Sequence, residues 1–272
     1  MPGTIVGTKR LPIPTFDRLD DIIAILGTTK TTLFPFLESV GGSTVNEGIR
    51  SYKENAHVLV SRDEAAVRTI EAEFSPYKHV GGVYSYEFNA AGNQYLDGTD
   101  DANLGFPSNA DFSCGAFIYP RDITSVTIMG KYDVANQREW RMQLDGSSKI
   151  ELEVLDETEV SNGTRIGASD TAVTADQWSS VVITTNNNDA NASMSFFLNA
   201  AADGTGNSLT GTYNDSPDTT SAFVIGATLN TAPAVSNLFS GRMALVFVCG
   251  KVLTAGEVSS FHSIGQELLG LV

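Results

Sequence analysis

Ile150-Glu-Leu-Glu-Val154 places an apolar residue at every second position and an acid between them. That period of two buries one face of a strand and leaves the other in water. The same alternation runs through Tyr84, Tyr86 and Phe88 upstream and through Met194, Phe196 and Leu198 downstream. Turn-forming clusters separate such segments, among them Asp145-Gly-Ser-Ser148 and Asn186-Asn-Asn-Asp189. From Val83 onward the chain is therefore expected to be mostly β, an antiparallel sandwich or jelly roll. No repeat of fixed period points to a propeller or solenoid.

Residues 1–76 carry other signals. Leu11-Pro-Ile-Pro14 predicts an extended arm over residues 1–15. Leu19, Ile22, Ile23 and Leu26 fall on one face of a helix. Ser61-Arg-Asp-Glu64 has the form of a capping box, and Ala65, Val67, Ile70 and Phe74 continue an apolar stripe to Pro76. A helical region over 16–76 is expected, with anchoring or oligomerisation as its role, and the sandwich over 77–272. A second capping box, Thr254-Ala-Gly-Glu257, opens a short C-terminal helix through Phe261, Ile264 and Leu268.

The 272 residues are 42% hydrophobic, enough for a sizeable core, and the longest apolar run, Met243 to Cys249, is too short to span a bilayer as a helix. Net charge is −15, of which residues 1–75 contribute −2 (8 basic, 10 acidic) and residues 76–272 contribute −13 (9 basic, 22 acidic). Such acidity excludes nucleic acid and an anionic membrane surface as partners, because both require positive charge to neutralise phosphate. The opening residues lack a basic stretch followed by an apolar run, so no export signal is expected. Cys114 and Cys249 fit no metal spacing and are expected to be reduced, buried thiols.

The order of segments over about residues 83–265 resembles the laminin-G-like jelly roll of the concanavalin A-like lectin/glucanase superfamily. Phe112-Ser-Cys-Gly-Ala-Phe-Ile-Tyr-Pro120 is similar to that family's F-T-I-E-A-W-I-K-P strand, with Phe117 at the tryptophan position. Ile128-Met-Gly-Lys131, Trp140-Arg-Met-Gln-Leu-Asp145, Asp176-Gln-Trp178 with Val181-Val-Ile-Thr184, Phe196-Phe-Leu-Asn199 and Val224-Ile-Gly-Ala227 follow in the family's order. Gly241-Arg-Met-Ala-Leu-Val-Phe-Val-Cys-Gly-Lys-Val-Leu-Thr254 resembles the closing strand, departing from it at Ala244 and Leu245, where the family has an acidic pair. The resemblance implies a fold shared by lectins, glycosidases, adhesion modules and spacers; it does not by itself choose among them.

Three sets of residues are candidates for function. Asp97, Asp100 and Asp101 offer hard oxygen ligands on one loop, as Ca²⁺ requires, and with Asn186 and Asp189 they form a candidate ligand surface at one end of the sandwich. Glu151 and Glu153 share a strand face, with a separation nearer that of an inverting than a retaining glycosidase, but a half-solvated strand has the same pattern. Trp140 and Trp178 are expected to pack in the core rather than against a sugar.

A lectin-like fold without an export signal, preceded by an arm and helices it does not need, suggests a non-enzymatic structural protein of a virus particle. The expected form is a head decoration or tail component of a tailed bacteriophage, located on the virion and homo-oligomeric. In that reading Ile5, Val6, Leu11, Ile13 and Phe16 dock on other virion proteins, and the jelly roll faces outward toward a host surface glycan. No cofactor is expected beyond the candidate Ca²⁺. The alternatives are a carbohydrate-binding lectin or adhesion module, outside the cell or on its surface, and a glycoside hydrolase.

Overall fold

The computed structural model describes residues 15–35, 49–50, 58–62, 76–106, 110–134, 137–156, 163–186, 193–211, 213, 216–230 and 234–272. Helix α1 (Thr15–Leu26) leads into strands β1 (Thr32–Phe34), β2 (Ile49–Arg50), β3 (Val58–Arg62), β4 (Pro76–Lys78), β5 (Tyr84–Phe88) and β6 (Tyr95–Asp97). Five long strands follow: β7 (Phe112–Pro120), β8 (Val126–Asp133), β9 (Gln137–Leu144), β10 (Lys149–Asp156) and β11 (Gly163–Ala172). Next come β12 (Ser179–Asn186), β13 (Ser193–Leu198), β14 (Ala201–Thr205), β15 (Ser208–Thr210) and β16 (Phe223–Ile225). The chain closes with β17 (Thr228–Leu229), β18 (Val235–Ser236), β19 (Gly241–Cys249) and helix α2 (Ala255–Leu269).

The strands form two sheets. One has the order β14-β13-β12-β7-β19-β5-β4 with β1 also beside β19; the other runs β15-β11-β10-β9-β8-β16-β6-β3-β2, with the β17–β18 hairpin attached to β8. Ile150, Leu152 and Val154, together with Phe88, Phe112, Trp140, Phe196 and Phe223, fill the space between them, as the alternation predicts. A second core lies on the outer side of the β19-containing sheet. There Leu19, Ile22 and Leu26 of α1 and Val258, Phe261 and Leu268 of α2 pack on Phe117, Val182 and Phe247. Burying a side chain such as Phe261 contributes about 2–3 kcal/mol, so the two helices are fixed parts of the body.

β19 joins these layers. Its first residues pair with β5 and its last with β1. Between them the pairing to β7 shifts register from Ala244 to Phe247, and Leu245, fully buried, has φ 51°. The bulge turns Ala244, Leu245 and Phe247 all toward the helices, so the positions where the resembled family has acids serve the second core.

Among the described residues of the region expected to be helical, the helix is Thr15–Leu26. Thr32–Phe34 is a strand on β19, and Val58–Arg62 is a strand on β6, in which Ser61 pairs with Leu96 rather than capping a helix. A local capping pattern yields here to cross-strand pairing of a β-branched segment, Val58-Leu-Val60. Residues 1–14, with Ile5, Val6, Leu11 and Ile13, lie outside the described residues, as do 63–75, Asp189 and the side chain of Phe16. The C-terminal helix has its full capping box, with Thr254 and Glu257 bonding reciprocally.

Candidate functional site

The loop of Asp97, Asp100 and Asp101 is tied down by partners remote in sequence. A register shift between Lys131 and Tyr132 in the β8–β9 pairing places Glu139 beside Lys131, in the interior. The Lys131 ammonium lies 2.8 Å from Glu139 and 2.8 Å from Asp100. Burial alone would lower the Lys131 pKa, but the two carboxylates outweigh it and raise the value, so the group stays charged. Asp101 accepts from the Asn103 amide at 2.7 Å, Lys30 donates to the carbonyls of Ala102 and Gly105, and Trp140 donates to that of Leu104. Among the described residues no group of three or more His, Cys, Asp or Glu side chains is placed to hold a metal. Asn186 is exposed at the end of β12.

Glu151 and Glu153 stand on the outer face of β10 and turn toward β9. Glu153 accepts from Arg141 at 2.6 Å, and Gln143 donates to Glu151. Arg141 also lies over the Tyr132 ring, 4.3 Å from its centroid, and reaches Thr228 at 3.3 Å. Burial chiefly raises the Glu151 pKa, with the Gln143 bond opposing and the charge of Glu153 adding to the rise. The row is a cross-strand ladder with its acids satisfied by neighbours.

A third arrangement was not legible in the sequence. On the outer face of the β19-containing sheet, Glu87, Arg242 and Tyr119 are register partners across β5, β19 and β7. Gly241 makes this approach possible: at φ +133°, an added Cβ would lie 2.1 Å from the Tyr119 carbonyl oxygen. Around this row the rings close a circuit. Tyr77 meets His79 at 5.0 Å, His79 meets Trp178 at 5.8 Å, and Trp178 meets Tyr119 at 5.8 Å. Arg242 completes it, 5.1 Å from the Tyr77 centroid and 5.9 Å from that of Tyr119.

His79 holds the platform to α2. Its Nδ1 is 3.0 Å from the Leu269 carbonyl, which can only accept, so Nδ1 carries the hydrogen. Nε2 is 2.9 Å from the Ser85 hydroxyl, which can either donate to it or accept from it. Burial lowers its pKa, and the charge of Arg242 adds to this against the pull of the Leu269 carbonyl. The surface above is open: Tyr77 is 53% exposed, while Tyr119 and Trp178 are partly buried. Trp140 is core, as expected, but Trp178 is not fully so. It packs beside the helical core with one side and joins the exposed circuit with the other. The residues come from five separate strands and turns, so no local motif announces them.

Against known families, a laminin G profile described as Concanavalin A-like lectin/glucanases superfamily matches residues 90–259. The chain belongs to this superfamily. Among solved structures, this lectin-like jelly roll is similar to the binding domain of Paraclostridial Mosquitocidal Protein 1, at 13% identity and TM-score 0.57, over 86% of this chain and 52% of that one. The binding domain of botulinum neurotoxin serotype G gives 13% identity and 0.57, over 88% and 51%. The chain thus spans about half the length of these toxin domains. Domain 4 of AbnA, an extracellular arabinanase from Geobacillus stearothermophilus solved with arabinotriose, gives 12% identity and 0.56, over 88% of this chain and 97% of that domain. At such identities the likeness is one of fold. No curated protein matches by sequence. No helix among the described residues is long and apolar enough to cross a membrane.

Proposed function

We propose that this concanavalin A-like chain is a non-enzymatic carbohydrate-binding domain whose ligand surface is the platform of Tyr77, Tyr119, Trp178, Arg242 and Glu87. The observation that carries this reading is the row of rings from Tyr77 to Tyr119 that Arg242 closes into a circuit, with Tyr77 half exposed. A sugar ring offers C–H groups on its faces and hydroxyls on its rim. Aromatic faces suit the first, and an arginine–carboxylate pair suits the second. The test is retention on a glycan array. Tyr77→Ala removes a half-exposed ring outside the core and should sharply lower retention while the fold is preserved. Because Asp100 is engaged by Lys131, retention is expected to survive EDTA. Loss of binding on chelation would move the site to the Asp97–Asp101 loop.

A second reading concerns the setting: a bacteriophage virion protein in which the N-terminal residues anchor and this domain faces outward. Its support is that α1 is clamped to the body, Arg18 pairing with Glu267 at 2.6 Å and Lys251 donating to the Ile25 carbonyl. In this reading Ile5, Val6, Leu11, Ile13 and Phe16 dock on other virion proteins, and α1 joins them to the domain. Sedimentation of a native lysate tests it: co-migration with particles of megadalton size supports it, and a free small oligomer alone removes it.

A further inference from the structure

The platform differs from the rest of the molecule in charge. In a chain of net −15, two arginines converge there on one carboxylate: Arg121 Nη1 lies 2.5 Å from Glu87 Oε1, and Arg242 Nε lies 3.4 Å from Glu87 Oε2. No other carboxylate pairs with either arginine among the described residues. Asp122, next in sequence to Arg121, turns onto the amide of Thr124 at 3.0 Å. Asp176 is bound through its own amide to the Pro120 carbonyl. Two guanidiniums against one carboxylate leave the row Arg121–Glu87–Arg242 with one positive charge that no salt bridge among the described residues offsets.

The geometry leaves that charge available. Glu87 meets Arg242 through Nε alone and at long range, so the outer fork of the guanidinium, the part that pairs bidentately with carboxylates, is not used by it. Arg242 is 28% exposed and stands beside the aromatic faces of Tyr77 and Tyr119, while Arg121, across Glu87 from it, is 48% exposed. A guanidinium held over rings keeps its plane and orientation while its edge faces solvent.

Resting on the proposed saccharide reading of this same platform, we infer that its ligand is an acidic sugar, a uronic- or sialic-type residue whose single carboxylate is received by Arg242 and Arg121 while its ring lies on Tyr77 and Tyr119. One surplus positive charge matches one carboxylate. A densely charged polyanion would instead meet the repulsion of residues 76–272, whose net charge is −13.

The experiment is an array of uronic- and sialic-acid oligosaccharides, each printed beside its methyl ester and a neutral counterpart. It is probed with the full chain, Tyr77→Ala, Arg121→Gln and Arg242→Gln. The acid forms should be held on the order of tenfold or more tightly than their esters, the scale of a charge-assisted hydrogen bond. Arg242→Gln should bring acids down to the level of esters, and Tyr77→Ala should lower both. Equal retention of acid and ester, or a preference that survives both arginine substitutions, overturns the acidic-sugar inference while the loss in Tyr77→Ala still upholds the platform. An array on which the full chain retains nothing overturns both.

Discussion

The Lys131 ammonium and the Glu139 carboxylate lie 2.8 Å apart with both side chains wholly excluded from water. Glu139 Oε1 also accepts from the amide and the hydroxyl of Thr219, each at 2.9 Å, so one interior oxygen ties β9 to the loop before β16. Asp100 joins from the other side. An ion pair of this kind is costly to assemble, but once formed it is more costly to halve, because the surviving charge stays buried. The pair thus fixes the loop around Asp100 in place, which is a structural duty for residues whose sequence pattern suggests calcium.

Lys131→Met should therefore destabilise the domain by about 3–5 kcal/mol, the cost of leaving Glu139 unpaired. Asp100→Asn, at the partly exposed end of the network, should cost under about 1 kcal/mol. Urea unfolding followed by tryptophan fluorescence measures both. Equal costs for the two would mean that Glu139 is not the partner that matters.

Gly265 of α2 rests directly on the Phe117 ring: a Cβ there would be 2.1 Å from Cε2. Gly265→Ala should destabilise the protein by about 1–3 kcal/mol through overpacking, even though alanine favours a helix. Gly256, on the same helix, has nothing nearer its Cβ position than the Thr254 hydroxyl at 4.0 Å. Gly256→Ala should raise stability by up to about 1 kcal/mol. Thermal unfolding of the two variants should shift in opposite directions, and a shared sign would refute the packing of α2 on β7.

These two sites show where the sequence was informative. The alternation at Ile150, Leu152 and Val154 and the box at Thr254–Glu257 are local patterns, and each forms as its pattern requires. Ser61 has an equally good local pattern, yet it lies in a strand because pairing with β6 is a contact set by residues far along the chain. The aromatic circuit is the extreme case. Tyr77, His79, Tyr119, Trp178 and Arg242 become neighbours only through the strand order β12-β7-β19-β5-β4, which no spacing in the sequence encodes. The motif around Trp178 belongs to the fold and predicts a core ring, but it does not say which side of the ring the helices cover.

His79 and His262 should make the domain acid-sensitive. Burial lowers the pKa of both below the ordinary value near 6.5. The unfolded chain then takes up protons at higher pH than the folded one, so this stability is full above about 6.5 and is lost as pH falls through the folded values. Glu151 acts in the opposite sense: its raised pKa favours the folded state at low pH and costs stability as pH rises through the folded value. Glu151→Gln should accordingly stabilise the domain at neutral pH. His262→Gln, replacing the ring that contacts the Ser180 hydroxyl at 2.7 Å, should flatten the loss below about 6.5. Denaturation midpoints between about pH 5 and 8 read both effects, and an unchanged acid slope in His262→Gln would assign the sensitivity to His79 alone.

Cys114 and Cys249 sit on the adjacent strands β7 and β19 without bonding to each other. Cys114 is opposite Val248, one residue away from Cys249, so the two thiols point to opposite faces of the sheet: Cys114 into the space between the sheets, Cys249 toward the helices. Burial pushes the Cys249 thiol up to about 12, against the pull of the Lys251 charge, and raises Cys114 as well. Neither forms a thiolate near neutral pH, and the sheet separates them, so neither air oxidation nor diamide should link them. In the native protein a thiol reagent such as DTNB should titrate neither cysteine, and in denaturant it should titrate both. Labelling that is fast in the native state but blocked by Gly256→Ala would mean that α2 lifts from the sheet and exposes Cys249; fast labelling unaffected by that substitution would contradict the packing of the second core.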